Sequence, residues 1–540
     1  MASMSRILAA GCPRRSRLSA ALAASLAVPA QALPFNIGGL EGQLDSQLAL
    51  SSHWATASAD RDLIGASNGG RAPAASGDDG RLNFKRGETF SKRFSGRHAL
   101  ELRSGASGLL LSGRYWYDFE LQDEARPFAA VDDHGRQRGA QVAGAELLEA
   151  FAWHHHLLGE QPGSLRLGRQ VVHWGEGVLI PGGIDSINPF DAAIWRRAQA
   201  PLDEGRLPVN LLHGAQDLNA ALTLEAFYQL EWRPTTLDNC ATFLAQADYL
   251  ADGCNQLAQP AGAPLPRGAD RDARDSGQFG LALRYYLEPL ATEFGAYALN
   301  YHSRLPLLGL SGASYILAYP EDIRLYGLSF ATTLAAGSVW RGELSHRPDA
   351  PLQPSLADGL ASGQAQPAWR RHRVSQLQTS LSHQFDQVMG ASRLSLVGEL
   401  AWVHVGGLDG RYGRDPLFGP GPQADGGCPL AVGATARYCE SDGFTTRDAW
   451  GYRLQAVWEY PQLFAGIDLE PSLSWAHDVE GHAPAPEATF VEGRQALSLG
   501  LDADYRDTYT ASLAYTAFFG GKYSSLSDRD YLMLSLGLRF

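Results

Sequence analysis

Apolar side chains recur at every second position along much of this chain. From Trp450 to Tyr460, one face carries Trp450, Tyr452, Leu454, Ala456, Trp458 and Tyr460, and the other Gly451, Arg453, Gln455, Val457 and Glu459. A repeat of two residues is that of a β-strand with one apolar and one polar face. A turn at Pro461-Gln462 leads into a second such run, with Leu463, Ala465, Ile467, Leu469, Leu473 and Trp475 opposite Asp468, Glu470, Ser472 and Ser474. The pair reads as a hairpin. The same alternation places Leu377, Leu381 and Phe385 against Gln376, Gln378, Ser380 and Gln384, and sets Leu40, Leu44, Leu48 and Leu50 against Glu41, Gln43, Asp45 and Gln47. It returns at Tyr509, Ala511, Leu513, Tyr515 and Phe519.

Alternation alone also fits a β-sandwich, whose apolar faces point into a core. The connections separate the two. Tight links near Gly105-Gly108, Gln161-Ser164, Gly337-Ser338, Tyr460-Leu463 and Arg506-Thr508 alternate with long segments near 55–95, 233–277, 349–373, 406–447 and 478–494. Short turns at one end and long loops at the other are the pattern of an outer-membrane barrel. The predicted fold is therefore all-β, a transmembrane antiparallel barrel of about 16–18 strands with long extracellular loops and both termini on the periplasmic side. Leu532, Leu534, Leu536 and Leu538 alternate up to Phe540, an ending that resembles the targeting signal read by the barrel-assembly machinery, and such a last strand closes the sheet against the strand starting near Leu40.

Near the N-terminus, Arg6, Arg14, Arg15 and Arg17 precede an apolar run from Leu18 to Val28, followed by Ala30-Gln31-Ala32. That order is a secretory signal peptide over residues 1–32, with the mature barrel domain at 33–540. No downstream apolar stretch reaches the ~18 residues a membrane-spanning helix needs. The 12 Trp, 20 Tyr, 21 Phe and 59 Gly suit aromatic girdles and turns. Cleavage would remove four Arg and no acid, taking the formal charge from -13 to -17, which disfavours nucleic acid as a partner. Of the cysteines, Cys240 with Cys254 and Cys428 with Cys439 form two close pairs in Gly/Pro/Asp-rich stretches, which points to two loop disulfides in an oxidising compartment.

Between Arg166 and Asp191 the alternation stops and Gly, Pro and Asn take over. Asn188-Pro189 fits the N-cap and first position of a short helix toward Arg197. A long irregular element after a barrel strand folds into the lumen, so residues 173–200 are the candidate plug or constriction. The candidate substrate path is lined by Arg169, Trp174, Glu176, Asn188, Asp191, Arg196 and Arg197.

The run 169–191, together with Asp78-Asp79-Gly80-Arg81-Leu82-Asn83-Phe84, Tyr301-His302-Ser303-Arg304-Leu305-Pro306, Tyr319-Pro320-Glu321-Asp322-Ile323-Arg324-Leu325-Tyr326-Gly327 and Arg347-Pro348-Asp349, resembles the domain-of-unknown-function family 1302 over nearly the whole mature chain. The resemblance implies a proteobacterial outer-membrane barrel that works beside a periplasmic lipoprotein-like partner and an inner-membrane exporter of the resistance-nodulation-division class, moving hydrophobic or lipid-like molecules. It assigns no catalytic residues. The C-terminal stretch, with His477-Asp478-Val479-Glu480-Gly481 and the hairpin 497–519, is faintly similar to outer-membrane long-chain fatty-acid transporters.

Three rival classes fit the same alternation. A general or anion-selective porin shares every feature above. A surface structural or adhesive barrel would use its long acidic loops on divalent ions or lipopolysaccharide. A phospholipase-like enzyme is disfavoured, because G-x-S-x-G, P-loop and H-E-x-x-H motifs are lacking and His154-His155-His156 alternate faces on a strand. His477, Asp478 and His482 sit at a loop rim, where a solvated loop is the default reading. No cofactor is expected.

Overall fold

In the computed structural model the described residues are 33–192, 205–258, 263–362, 367–422, 426–427 and 437–540. The signal-peptide reading of 1–32 lies outside them. Among the described residues, eighteen strands form the ring. The first nine are β1 (Leu40–Ala55), β2 (Thr89–Ser104), β3 (Ser107–Asp118), β4 (Ala143–Leu158), β5 (Gln161–Gln170), β6 (Val209–Asn219), β7 (Leu222–Gln229), β8 (Phe279–Leu287) and β9 (Thr292–Tyr301). The second nine are β10 (Ile323–Thr333), β11 (Val339–Leu352), β12 (Arg370–Asp386), β13 (Arg393–Gly406), β14 (Asp448–Phe464), β15 (Ile467–Glu480), β16 (Arg494–Tyr505), β17 (Tyr509–Gly520) and β18 (Tyr531–Arg539).

Each strand pairs antiparallel with its sequence neighbour, and β18 pairs with β1 from Gln47↔Arg539 to Ala55↔Tyr531. Phe540 completes the seam by exchanging backbone hydrogen bonds with Ser46. The ring therefore closes, leaving no strand edge to meet hydrocarbon. Below that seam, a short strand, Leu33–Ile37, folds back on Leu40–Leu44.

The side chains sort by parity. On β12, Leu377 and Leu381 are 45% and 50% exposed, whereas Gln376 and Gln378, on either side of Leu377, are 2% and 1% exposed. The apolar face therefore points away from the barrel axis. Aromatics flank the leucines at both ends of the belt, with Phe385, Tyr460 and Tyr509 near the short turns and Trp402, Trp450 and Phe519 near the long loops. This is the layout of an outer-membrane β-barrel, with lipid-facing leucines between two aromatic girdles.

Turns of a few residues alternate strictly with loops, of which 56–88, 119–142, 171–208, 230–278 and 407–447 are the longest. One predicted turn is displaced. The strand continues past Pro461-Gln462, with a register shift between Tyr460 and Phe464, and reverses at Ala465-Gly466, where both residues have positive φ. His154 and His156 share one face of β4 close to its turn and bond to Ser107 on β3 and Gln216 on β6. Asp478 is buried at the wall between Arg453 and Arg494, so it is not part of a solvated rim, and His477 faces the opposite side against Tyr452. Cys240 and Cys254 form a disulfide within the 230–278 loop. Cys428 lies outside the described residues.

The belt sets a direct expectation. Leu400→Arg, at the middle of β13 and 41% exposed, should lower stability by about 2–4 kcal/mol. Ser472→Arg, at a lumen-facing position of β15, should cost far less. Urea unfolding in lipid vesicles, read by heat-modifiable migration on gels, compares the two.

Candidate functional site in the barrel lumen

After β5 the chain does not return directly to β6. Its backbone, rich in Gly, Pro and Asn, cannot continue a ladder, so its N–H and C=O groups need partners from elsewhere. The wall supplies them. Glu343 on β11 accepts from the backbone N–H groups of Glu176 (2.5 Å) and Ile184 (2.9 Å). Glu399 on β13 accepts from Val178 (3.0 Å), Leu179 (2.5 Å) and Ile180 (2.7 Å). On β12, between them, Gln376 Nε2 donates to Pro181 O at 3.3 Å. Gly183 has φ +68°, and a Cβ there would overlap Glu343 Oε1, so the approach of that carboxylate requires glycine.

The later part of the segment is tied to β7, to the loop after β9 and again to β11. Arg347 donates to Gly183 O and to the Tyr301 hydroxyl, and both Arg304 and Gln229 donate to Ile187 O. Asp185 pairs with Arg206 at 2.6 Å. Around these bonds Val172, Trp174, Ile184 and Ile187 pack against Val209, Leu211, Phe227, Tyr297, Leu299 and Leu325 from the inner faces of β6–β10. The lumen face there is apolar, unlike the polar face the alternation predicts elsewhere. Each fully buried side chain of this kind contributes roughly 1.5–3 kcal/mol.

Against the segment lies a cavity of about 480 Å³. Its lining is mainly apolar, with Leu179 and Pro181 from the segment, Leu305 and Leu308 from the loop after β9, and Phe490 and Val491 from the loop after β15. Arg453, Asp478 and Arg494 form its charged side, and Asp415 in a loop is pushed up to about 6 by burial. A smaller space of about 110 Å³, lined by Asp185, Ser186 and Arg347, lies on the other flank. Pro181 and residues 485–487 line both.

The seven residues expected to line a path divide. Trp174 is fully buried and donates to Glu225 at 2.9 Å. Asn188 is also buried, its side chain bridging Val172 N, Gln170 O and Leu207 O. It therefore ties the two ends of the segment together instead of capping a helix, and no helix begins at Pro189 through Ala192. Asp191 lies 3.6 Å from Arg114, and its backbone bridges to Thr236. Glu176 pairs with Arg341 at 3.3 Å, and Arg169 lies 3.8 Å from Glu231. Arg196 and Arg197 lie outside the described residues. Sequence reasoning missed Glu343, Glu399 and Gln376, which sit at ordinary inward positions of the alternation.

A family model described as "Protein of unknown function (DUF1302)" matches residues 14–540. The chain belongs to this family. Two separated stretches of the family resemblance, 301–306 and 347–349, meet at the segment, since Arg304 and Arg347 bond to it and Arg347 also bonds to Tyr301. No curated protein matches the sequence. Solved structures similar to the barrel include OccD3 (OpdP) of Pseudomonas aeruginosa, 10% identical over 96% of each chain with a TM-score of 0.41. The outer membrane channel DcaP of Acinetobacter baumannii is 8% identical over 94% of this chain and 99% of that one, with a TM-score of 0.35. OpdK of Pseudomonas aeruginosa, solved with vanillate, is 10% identical over 92% of this chain and 98% of that one, with a TM-score of 0.40.

Removing the Glu399 carboxylate tests the tether. Glu399→Leu leaves one buried and two half-buried N–H groups without acceptors, a cost of about 1–3 kcal/mol for the buried one and less for the others. The variant should keep its barrel, unfold at lower urea and make a cysteine at Leu179 reactive toward a water-soluble maleimide. Glu399→Gln, which retains an acceptor oxygen, should fall between.

Proposed function

We propose that this barrel is an outer-membrane channel for small hydrophobic or lipid-like molecules, with the 173–200 segment as its constriction. The observation that carries the reading is the apolar cavity directly against that segment, large enough for a compact small molecule and bounded by leucines, Phe490 and Val491. Cargo would rest there before passing Arg169, Glu176 and Asp191, with Arg196 and Arg197 completing the path. The family resemblance adds partners to the proposal: a periplasmic lipoprotein-like carrier below the barrel and an inner-membrane exporter beyond it. Membrane lipid and lipopolysaccharide surround the belt and loops, and the assembly machinery inserts the barrel.

The test pairs two measurements. In planar bilayers the purified barrel should conduct ions weakly, and a deletion strain should grow poorly on hydrophobic carbon sources. Leu308→Trp, which fills the cavity from its loop side, should reduce transport several-fold while leaving the barrel folded. High, unselective conductance with no growth defect would overturn this reading in favour of a general porin.

A further inference from the structure

Two long loops bring acidic residues together outside the membrane belt. Asp78 and Asp79 come from the loop after β1, and Asp248 comes from the loop after β7. One carboxylate oxygen of each lies within 4.8 Å of the others. Their hydrogen bonding is incomplete. Asp78 is fully buried, and its Oδ2 accepts from Gly65 N and Asn68 Nδ2, yet its Oδ1 is out of contact with water and has no donor. Asp248 repeats the arrangement, with Oδ2 accepting from Asp79 N and Oδ1 buried without a donor. A buried anionic oxygen with no donor is costly, so each of these two atoms calls for a positive partner.

The neighbouring arginines do not supply it. Arg81 and Arg529 each bring Nε to 3.4 Å from Asp528. Their outer nitrogens go to carbonyls: those of Arg81 to Phe84 and Ala57, those of Arg529 to Phe243 and Gly77. Asp78, Asp79, Asp248 and Asp528 thus set four carboxylates against two guanidiniums, leaving a charge deficit of two.

We propose that Asp78, Asp79 and Asp248 bind a calcium ion that staples the loop after β1 to the loop after β7. An all-oxygen, carboxylate-rich set of irregular geometry selects a hard cation that tolerates varied coordination, and thiolate or imidazole ligands that would favour zinc are absent from the set. Extracellular calcium modules of this kind bind in the range of about 10⁻⁴–10⁻³ M. The ion would fix the mouth of the barrel, because the same two loops also meet through Asn83, which donates to Ala241 O, and through Phe84 against Phe243.

Full-length barrel refolded in detergent without lipopolysaccharide and stripped with chelator is the material for the test. Terbium should bind with luminescence sensitised by nearby aromatics, and calcium should displace it. Calcium should also protect the 230–278 loop from protease. Asp248→Asn and Asp79→Asn should weaken calcium at least tenfold while the heat-modifiable barrel band persists, and Asp270→Asn, in the same loop, should not. Absence of calcium-displaceable terbium from the wild-type barrel would overturn the proposal, as would unchanged calcium affinity in the Asp79→Asn/Asp248→Asn double variant. The wild-type measurement decides even if a variant fails to fold.

Discussion

Every amide held away from water must find a partner, and two levels of this structure follow from that demand. In the wall, the ladder between β18 and β1 meets it by closing the ring, so that no strand presents an open edge to lipid. In the lumen, a glycine- and proline-rich segment has no ladder to join. Glu343 and Glu399 replace the ladder there, taking five backbone N–H groups between them. Their acceptor oxygens make an irregular path compatible with burial.

How readable each part was from sequence depends on what the inner face touches. Where the inner face meets polar groups, as on β12, β14 and β15, the two-residue repeat is clean, and both the strands and their facing follow at once. On β9 and β10 the inner positions are Tyr297, Leu299, Tyr301, Ile323 and Leu325, packed on the folded-in segment. Both faces are then apolar, the period fades, and these strands carry little signal of their own. The turn after Tyr460 was misplaced for a local reason. Pro461 reads as a turn former, yet the strand absorbs it through an irregularity and reverses at the Ala465-Gly466 pair.

The segment itself was legible as the place where alternation breaks down, but its attachment was not. Glu343 and Glu399 look like any inward polar residue, and only three-dimensional register sets both beside Gln376 and against the same backbone. Asn188 before Pro189 matches a helix start in one dimension. In space its amide is consumed by Gln170, Val172 and Leu207, a use that depends on two chain segments meeting.

The two lumenal spaces share a thin boundary made by Pro181 and residues 485–487. Leu305 and Thr489 also line both, and every one of these shared residues lies in a loop or in the folded-in segment, outside the strands of the ring. A rigid cylinder can thus carry a small moving part, so opening would draw on the energy of a few loop contacts and not on that of the sheet.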